Sequence, residues 1–518
     1  MRTKKTVTPI ILTILIIAIS LSGCKKSSKE KPKEEVKYFK LKPTEVIPTA
    51  AVSFSEGVNN TEVVETGSDN IAIWAKNGLR DKTLILIDSK ISIQGQMYDD
   101  YLMEVKKLID NNNYELLSKY SGMTQKLKKL YDSTNYIYVA HRLGIIKDVV
   151  WVLPISSPIN SDYKDFFKQN LKKGYPQFAQ EDIDSFTLSD KKIQGSLFGI
   201  PITVIAITEL PEFKEPVIMS INLSYINSFV VDNVKTPIED ITVSLLNMLK
   251  NKKPLVNYIT IVNSNATFEV PLMFRFLSNI LRDIFKDPSL MWAPKREWIL
   301  KQEADKFLAF VNYESAEQRY NEILKTTPND PSIYFQLSTL RTKDSRYEEA
   351  SEHLEKAITY DNGYVLGYIS LTSKMQSEDE KLLFLQFGAK NHPESVPILT
   401  TLAKLLSEKG MFQESLDIYM QLVKLGTESY DLNFYIADCY YKLKNYQKAI
   451  DMYNKTYSIL PEDVKNAYSF SFINLAEAYE KIDDTENALK YYKMFLDYNK
   501  ISSETESVKL KIKRLKDK

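Results

Sequence analysis

Apolar residues are distributed along the chain in three successive patterns. Near the start, a single apolar run from Val7 to Leu21 follows a basic segment. Between about residues 45 and 290, short continuous apolar runs alternate with stretches of helical periodicity. From about Trp298 onward, apolar residues recur with helical spacing and are interrupted by short polar turns. The three patterns predict an N-terminal targeting segment, an α/β domain and an all-helical domain.

Five short apolar runs in the middle segment predict β-strands. Hydrophobic residues stand at nearly every position of these runs, which is typical of parallel strands covered on both faces. Predicted helices, such as Tyr98–Asp110 and Ile238–Asn251, lie between the runs. This alternation favours a doubly wound parallel sheet over residues 44–290. The five predicted strands are Thr83–Asp88, Val149–Leu153, Ile202–Thr208, Pro216–Asn222 and Tyr258–Val262.

Small residues recur at a fixed spacing over residues 295–500. Ala316 and Ala350 are 34 residues apart, and within one unit two small residues lie 12 apart. Small side chains at such positions allow two helices to approach closely. About six units are indicated, of which the third, around residues 364–395, is degenerate and short. Residues 501–518 are predicted to form a charged capping helix.

This repeat resembles the tetratricopeptide repeat, a helix–turn–helix unit of 34 residues. One unit cannot bury its own apolar face, so several stack into a superhelix with a concave groove. The resemblance implies that the groove binds a protein or peptide. The set lacks the Asn/Lys series with which some repeats hold a terminal carboxylate. The residues that the resemblance places on the groove are Phe335, Thr339, Lys404, Phe434, Asp438, Ile473 and Glu477.

The first 24 residues have the layout of an export signal. A basic start, an apolar run and small residues over residues 1–23 are typical of a secretory signal peptide. The run is shorter than the roughly 20 apolar residues of a membrane span. Its end, Leu21–Cys24, resembles the bacterial lipobox, which implies cleavage before Cys24 and lipidation of its thiol. An uncleaved N-terminal anchor or a buried Cys is the alternative. We expect a lipid anchor at Cys24 in a membrane of the cell envelope, and a charged tether over residues 24–43.

The order of segments in the middle domain carries a second resemblance. TLILIDSK at 83–90, the block at 135–154, PVIMSINLSYI at 216–226 and NYITIVNS at 257–264 resemble the arginase/deacetylase superfamily, and are closest to a branch described as peptide arginases. That branch carries D-x-H-x-D after one strand and D-x-D after a later one. The resemblance implies that these carboxylates and imidazoles bind divalent metals that activate a water.

Compared residue by residue, this chain keeps one of those five positions. Asp88 retains the first carboxylate, whereas Lys90 and Ser92 replace the His and the second Asp. Asn222 and Ser224 replace the two Asp of the later motif. The resemblance therefore implies a degenerate domain that has no catalytic residues, metal or cofactor. We expect Lys90 to enter the vacated space and pair with Asp88.

Composition narrows the function further. The 68 basic and 67 acidic residues leave no basic excess for nucleic-acid binding. Two Cys and three His offer little material for metal or acid–base chemistry, and Cys439 is expected to be a packed hydrophobe. The favoured function is a membrane-anchored scaffold that binds a protein or peptide. The alternative is a hydrolase of the arginase/deacetylase type with a relocated site that uses Asp88, Lys90 and His141. A solute-binding lipoprotein is disfavoured, because the sequence does not indicate two similar lobes.

Overall fold

The structure is a computed structural model, and it describes residues 38–42, 51–93, 99–120, 130–155, 158–175, 177–229, 238–265, 269–427, 429–460 and 465–517. The predicted signal peptide and Cys24 lie outside the described residues, as does most of the predicted tether. The end of that tether departs from the expectation, because Phe39 and Leu41 are buried and their N–H groups donate to the carbonyls of Arg142 and Leu143. In the part of the chain that is described, no helix has both the length and the apolar character required to cross a membrane.

The strands of the described residues form one mixed sheet. Its order is β1-β9-β8-β3-β4-β7-β6-β5, and β2 also pairs with β9. The strands are β1 Val52–Ser53, β2 Thr61–Val64, β3 Lys82–Ile87, β4 Ile146–Leu153, β5 Thr187–Ser189, β6 Lys192–Leu197, β7 Ile200–Ala206, β8 Val217–Asn222 and β9 Leu255–Val262.

The parallel arrangement holds in the centre of this sheet and fails at its edges. Strands β2, β9, β8, β3, β4 and β7 run parallel to their neighbours. Strand β1 is antiparallel to β9, and β5, β6 and β7 form an antiparallel edge. All five predicted strands are present. The prediction of an entirely parallel sheet is therefore wrong at both edges.

Helices cover both faces of the sheet. Side chains of β3 alternate between two buried clusters, with Leu84 and Leu86 on one face and Ile85 and Ile87 on the other. Both faces are buried, as the continuous apolar runs predict. The helices of this domain are α1 Asn70–Lys76, α2 Asp99–Asp110, α3 Tyr114–Tyr120, α4 Tyr136–Arg142, α5 Ser161–Gly174, α6 Gln180–Asp184, α7 Leu223–Asn227, α8 Ile238–Lys252 and α9 Phe276–Lys286.

Pairs of antiparallel helices follow, and each pair corresponds to one repeat of the sequence. Repeat one is α10 Arg296–Ala309 with α11 Tyr313–Thr326, and repeat two is α12 Pro331–Lys343 with α13 Tyr347–Tyr360. Repeat three is α14 Gly367–Ser370 with α15 Glu378–Asn391, and repeat four is α16 Val396–Glu408 with α17 Phe412–Lys424. Repeat five is α18 Tyr430–Lys442 with α19 Tyr446–Ile459, and repeat six is α20 Ser471–Lys481 with α21 Thr485–Tyr498. The last helix is α22 Thr505–Lys516.

The small residues lie where the two helices of a repeat meet. Ala437 and Ala449 are fully buried between α18 and α19. Ser replaces Ala on one helix in two other repeats, and its hydroxyl then bonds to the opposite helix. Ser415 Oγ donates to the Ala403 carbonyl at 2.7 Å. In repeat two, Ser338 Oγ donates to the Ala350 carbonyl at 2.7 Å. The 12-residue spacing therefore marks positions where the two helices of a repeat contact each other, as predicted.

Repeat three is irregular in its first helix. There α14 is only one turn long and is flanked by the 3-10 segments Asn362–Leu366 and Leu371–Lys374. This irregular segment contacts the α/β domain through Tyr364, whose ring centroid lies 5.8 Å from the guanidinium carbon of Arg275, which gives a physical reason for the degenerate sequence.

Candidate functional site

Three of the degenerate-site positions predicted from the sequence meet at the carboxyl ends of two neighbouring central strands of the sheet. Strand β3 lies between β4 and β8, and the later connections continue outward from it on both sides. Ligand sites in such sheets form at this switch point, beyond the carboxyl ends of the strands. Asp88 follows β3, Asn222 ends β8, and Ser224 lies in the first turn of α7.

The Asp88 carboxylate is held by hydrogen-bond donors. Asn222 Nδ2 donates to Oδ2 at 2.9 Å, and Ser224 Oγ donates to Oδ1 at 2.7 Å. The Lys90 N–H donates to Oδ1 at 3.2 Å. Asn222 is oriented by its own Oδ1, which accepts from the Ser224 N–H at 3.0 Å. Both carboxylate oxygens are therefore occupied by neutral donors.

Burial controls the charge of this carboxyl group. Asp88 is 3% exposed, and desolvation raises its pKa to about 6, although the bonds from Ser224 and Asn222 oppose that shift. A divalent cation requires several acceptor oxygens directed at one point. Asn222 and Ser224 instead direct N–H and O–H groups at Asp88, so these residues do not fit such an ion. Among the described side chains, no group of three or more His, Cys, Asp or Glu is placed to hold a metal.

The predicted pairing of Lys90 with Asp88 is wrong. Lys90 Nζ forms an ion pair with Glu269 Oε1 at 3.0 Å, and only its backbone contacts Asp88. Burying the Lys90 ammonium beside Asp88 would remove it from water at a cost, whereas the half-exposed Lys90 stays hydrated when it pairs with Glu269, an acid closer to solvent. The space at these strand ends is a cavity of about 50 Å³, large enough for one or two waters, which Ser92 also lines.

The two remaining chemistry-bearing residues lie elsewhere. His141 is buried on α4, with Nε2 at 3.3 Å from the Tyr38 hydroxyl, and desolvation lowers its pKa to about 4. It is not among the described residues that line the cavity. Cys439 is buried, its Sγ donates to Ser415 Oγ at 3.6 Å, and desolvation raises its thiol pKa.

The predicted groove residues divide into a buried and an accessible set. Phe335 and Thr339 are 2% and 6% exposed, so they offer no surface to a partner and are not contact residues. The other five belong to repeats four to six, where Lys404 is exposed and the rest are partly exposed. These are Lys404, Phe434, Asp438, Ile473 and Glu477.

The α/β domain occupies the groove of the first repeats. Phe335 belongs to one buried cluster with Leu272, from the 3-10 segment Leu272–Phe274 that contacts α12. Lys301 precedes Phe335 by one 34-residue repeat, and its Nζ lies 3.8 Å from the centroid of the Phe276 ring. Two equivalent groove positions therefore contact one short segment, residues 271–276, of the same chain.

Arg275 fixes this contact, and sequence reasoning missed it. Its guanidinium is buried between Asp361, with two bonds of 2.7 Å, and Glu65, which accepts at 2.7 Å. These carboxylates raise the pKa of Arg275 against the effect of burial. A Cβ at Gly363 would lie 2.0 Å from the guanidinium carbon, so any larger residue there would displace the Arg275 side chain from this position. The only sequence signal was the irregularity of repeat three.

A family model matches the helical part of the chain. The family model described as intraflagellar transport protein 56 matches residues 306–505. The TPR repeat-containing protein YpiA of Bacillus subtilis is 24% identical over 201 residues, which are 38% of this chain and 46% of that protein. The chain thus spans about half the length of this curated relative.

Solved repeat structures are also similar. The Pseudomonas aeruginosa pilF structure covers 42% of this chain and 97% of its own, with 15% identity and a TM-score of 0.27. YrrB, described as a TPR protein with an unusual peptide-binding site, covers 38% and 97%, with 14% identity and a TM-score of 0.29. The helices are paired, the pairs follow the 34-residue register of the sequence, and the relative YpiA is a TPR repeat-containing protein. The C-terminal part of this chain is therefore a tetratricopeptide-like superhelix.

Proposed function

We propose that this protein is a membrane-anchored scaffold that binds a protein or peptide segment in its open groove, the concave surface formed by α16, α18 and α20. The observation that carries the proposal is the division of the groove. Residues 271–276 fill the positions of the first repeats, while the equivalent positions of repeats four to six stay accessible.

The chemistry of the α/β domain supports a binding role over a hydrolytic one. Asp88 is enclosed by Asn222 and Ser224, which are hydrogen-bond donors. A general base must reach the proton that it removes, and a nucleophile needs a base beside it. Asp88 and His141 contact different partners. In this proposal Asp88 stabilises the carboxyl ends of the central strands and takes no part in a reaction.

Site-specific photo-cross-linking tests the groove. Phe470 is 52% exposed and precedes Ile473 by three residues. A photoreactive phenylalanine at Phe470 in the full chain should cross-link a partner protein, and Phe434→Ala should reduce that product. Val423 on α17 is 41% exposed outside the open groove and serves as the control position. Equal products from both positions would place binding elsewhere on the protein.

Metabolic labelling with a fatty acid tests the anchor. Cys24→Ala should abolish the label and leave an unprocessed precursor, because the thiol is the proposed acceptor. Cys439→Ala is the matched control, because it removes a buried thiol, and it should keep the label. Unchanged labelling of Cys24→Ala would refute the anchor while leaving the groove proposal intact.

A further inference from the structure

Helix α18 presents one chemically distinct stripe to the open groove. Asp431, Phe434 and Asp438 lie at positions i, i+3 and i+7, which share one face of a helix. We call these three residues the repeat-five stripe. With a rise of 1.5 Å per residue, its two carboxylates are about 10 Å apart along the helix axis.

Aromatic rings surround the centre of the stripe. The Phe434 ring centroid lies 5.3 Å from that of Tyr468, 5.8 Å from Tyr453 and 6.2 Å from Tyr435. The Tyr435 ring already accepts one cation, since Lys404 Nζ from α16 lies 4.9 Å from its centroid. Ring faces attract ammonium and guanidinium groups.

The carboxylates of the stripe are bound by neutral donors. The Tyr468 hydroxyl donates to Asp431, and the Tyr453 hydroxyl and Asn474 Nδ2 donate to Asp438. Desolvation raises the pKa of Asp438, and the charge of Lys442 acts on it only as a smaller, opposing effect. Next in the groove the pattern changes. There Glu477 and Glu480 of α20 form ion pairs with Lys511 and Arg514 of α22.

We propose that the repeat-five stripe binds a basic segment of a partner protein, with one Lys or Arg at each carboxylate and an apolar residue against Phe434. A segment in the polyproline II conformation has three residues per turn and advances about 3.1 Å per residue, so two basic residues three positions apart lie on one face and are about 9 Å apart, close to the separation of the two carboxylates. This inference rests on the proposed function, because it names the chemistry of the segment that the open groove takes.

Selection from a random peptide library displayed on phage, on the immobilised full chain in detergent micelles, tests the inference. We expect selected peptides to carry Lys or Arg pairs three residues apart around an apolar residue. Acidic or uncharged selected peptides would overturn the inference and leave the proposed function standing. Failure to select any peptide would count against the proposed function itself.

Affinities of one selected peptide then locate the site. Asp438→Asn should weaken binding by about tenfold, and raising the salt concentration should weaken binding to the unaltered chain. Asp431→Asn should act in the same direction, and its exposed position makes misfolding an insufficient explanation. Asp417→Asn on α17, which removes an acid bonded to Gln413, is the control and should leave the affinity unchanged. If all three variants bind the peptide with the affinity of the unaltered chain, the inference is overturned.

Discussion

Removal of the Ser224 hydroxyl should destabilise the protein in a pH-dependent way. Ser224 Oγ donates to the Asp88 carboxylate at 2.7 Å. A hydrogen bond to a charged group contributes about 1.5–3 kcal/mol, against about 0.5–1.5 kcal/mol for a neutral one. Ser224→Ala should therefore lower the free energy of unfolding by about 1 kcal/mol more where Asp88 is ionised than where it is protonated.

The sign follows from the raised pKa of Asp88. Its pKa is about 6 in the folded protein against an ordinary value of 3.8. The folded state binds more protons than the unfolded chain between these values, so this group lowers stability as the pH rises through that window. Two pKa units correspond to about 3 kcal/mol for the unaltered chain. In Ser224→Ala the upper end of the window should move higher by about one unit.

Urea unfolding followed by tryptophan fluorescence at about pH 4.5 and pH 8 measures the effect. Trp151 is a local reporter, because its indole N–H donates to the Asp88 carbonyl at 2.9 Å. Ser92→Ala is the matched control, because Ser92 lines the same cavity and makes no described bond to Asp88. Its effect on stability should be the same at both pH values. An equal loss for Ser224→Ala at both pH values would refute the reasoning.

Four further variants test the repeats and the contact between residues 271–276 and the first repeats. Val311→Gly should raise the melting temperature by the equivalent of about 1 kcal/mol, since Val311 has a left-handed φ of 61° that strains a β-branched residue. Gly410→Val is the reverse substitution at an equivalent backbone conformation, with φ of 78° and no atom near its Cβ position, and it should lower the melting temperature. A lower melting temperature for Val311→Gly would contradict the strain argument. Arg275→Met should lower the free energy of unfolding, measured in urea, by about 3 kcal/mol, because it leaves two carboxylates without their cation. Wild-type stability of this variant would show that the contact between residues 271–276 and the first repeats contributes little. Ser415→Ala should cost about 1 kcal/mol through the bond lost to Ala403, and thermal denaturation without change would show that this bond is dispensable.

The parts of the fold that follow a regular period could be predicted from the sequence. The central strands are nearly all apolar, and each repeat has its small residues at fixed spacing. The hairpin of β5 and β6 was missed because Lys192–Leu197 is largely polar. Its two-residue turn is also built from Asp190 and Lys191, with φ of 47° and 60°. Such turns favour Asn-Gly or Asp-Gly, so this one carries no sequence signal.

The candidate site was predictable only where its residues are close in the chain or belong to a motif. The sequence identified Asp88 and Asn222 together, and the structure joins them directly. The partner of Lys90 is Glu269, 179 residues away, and no periodicity links the two. Arg275 likewise meets Asp361 across 86 residues. Contacts between residues far apart in the chain depend on the tertiary arrangement, which local patterns do not contain.

The self-filled start of the groove affects how this protein can be divided for study. A fragment that begins at Arg296 would follow the boundary that the sequence pattern suggests, yet it would lack Leu272, Arg275 and Phe276. Phe335 would then lose the cover of Leu272, and Asp361 would lose its cation. An isolated repeat fragment should consequently expose apolar surface and self-associate, whereas a fragment that starts ahead of Pro271 retains the segment that covers this surface.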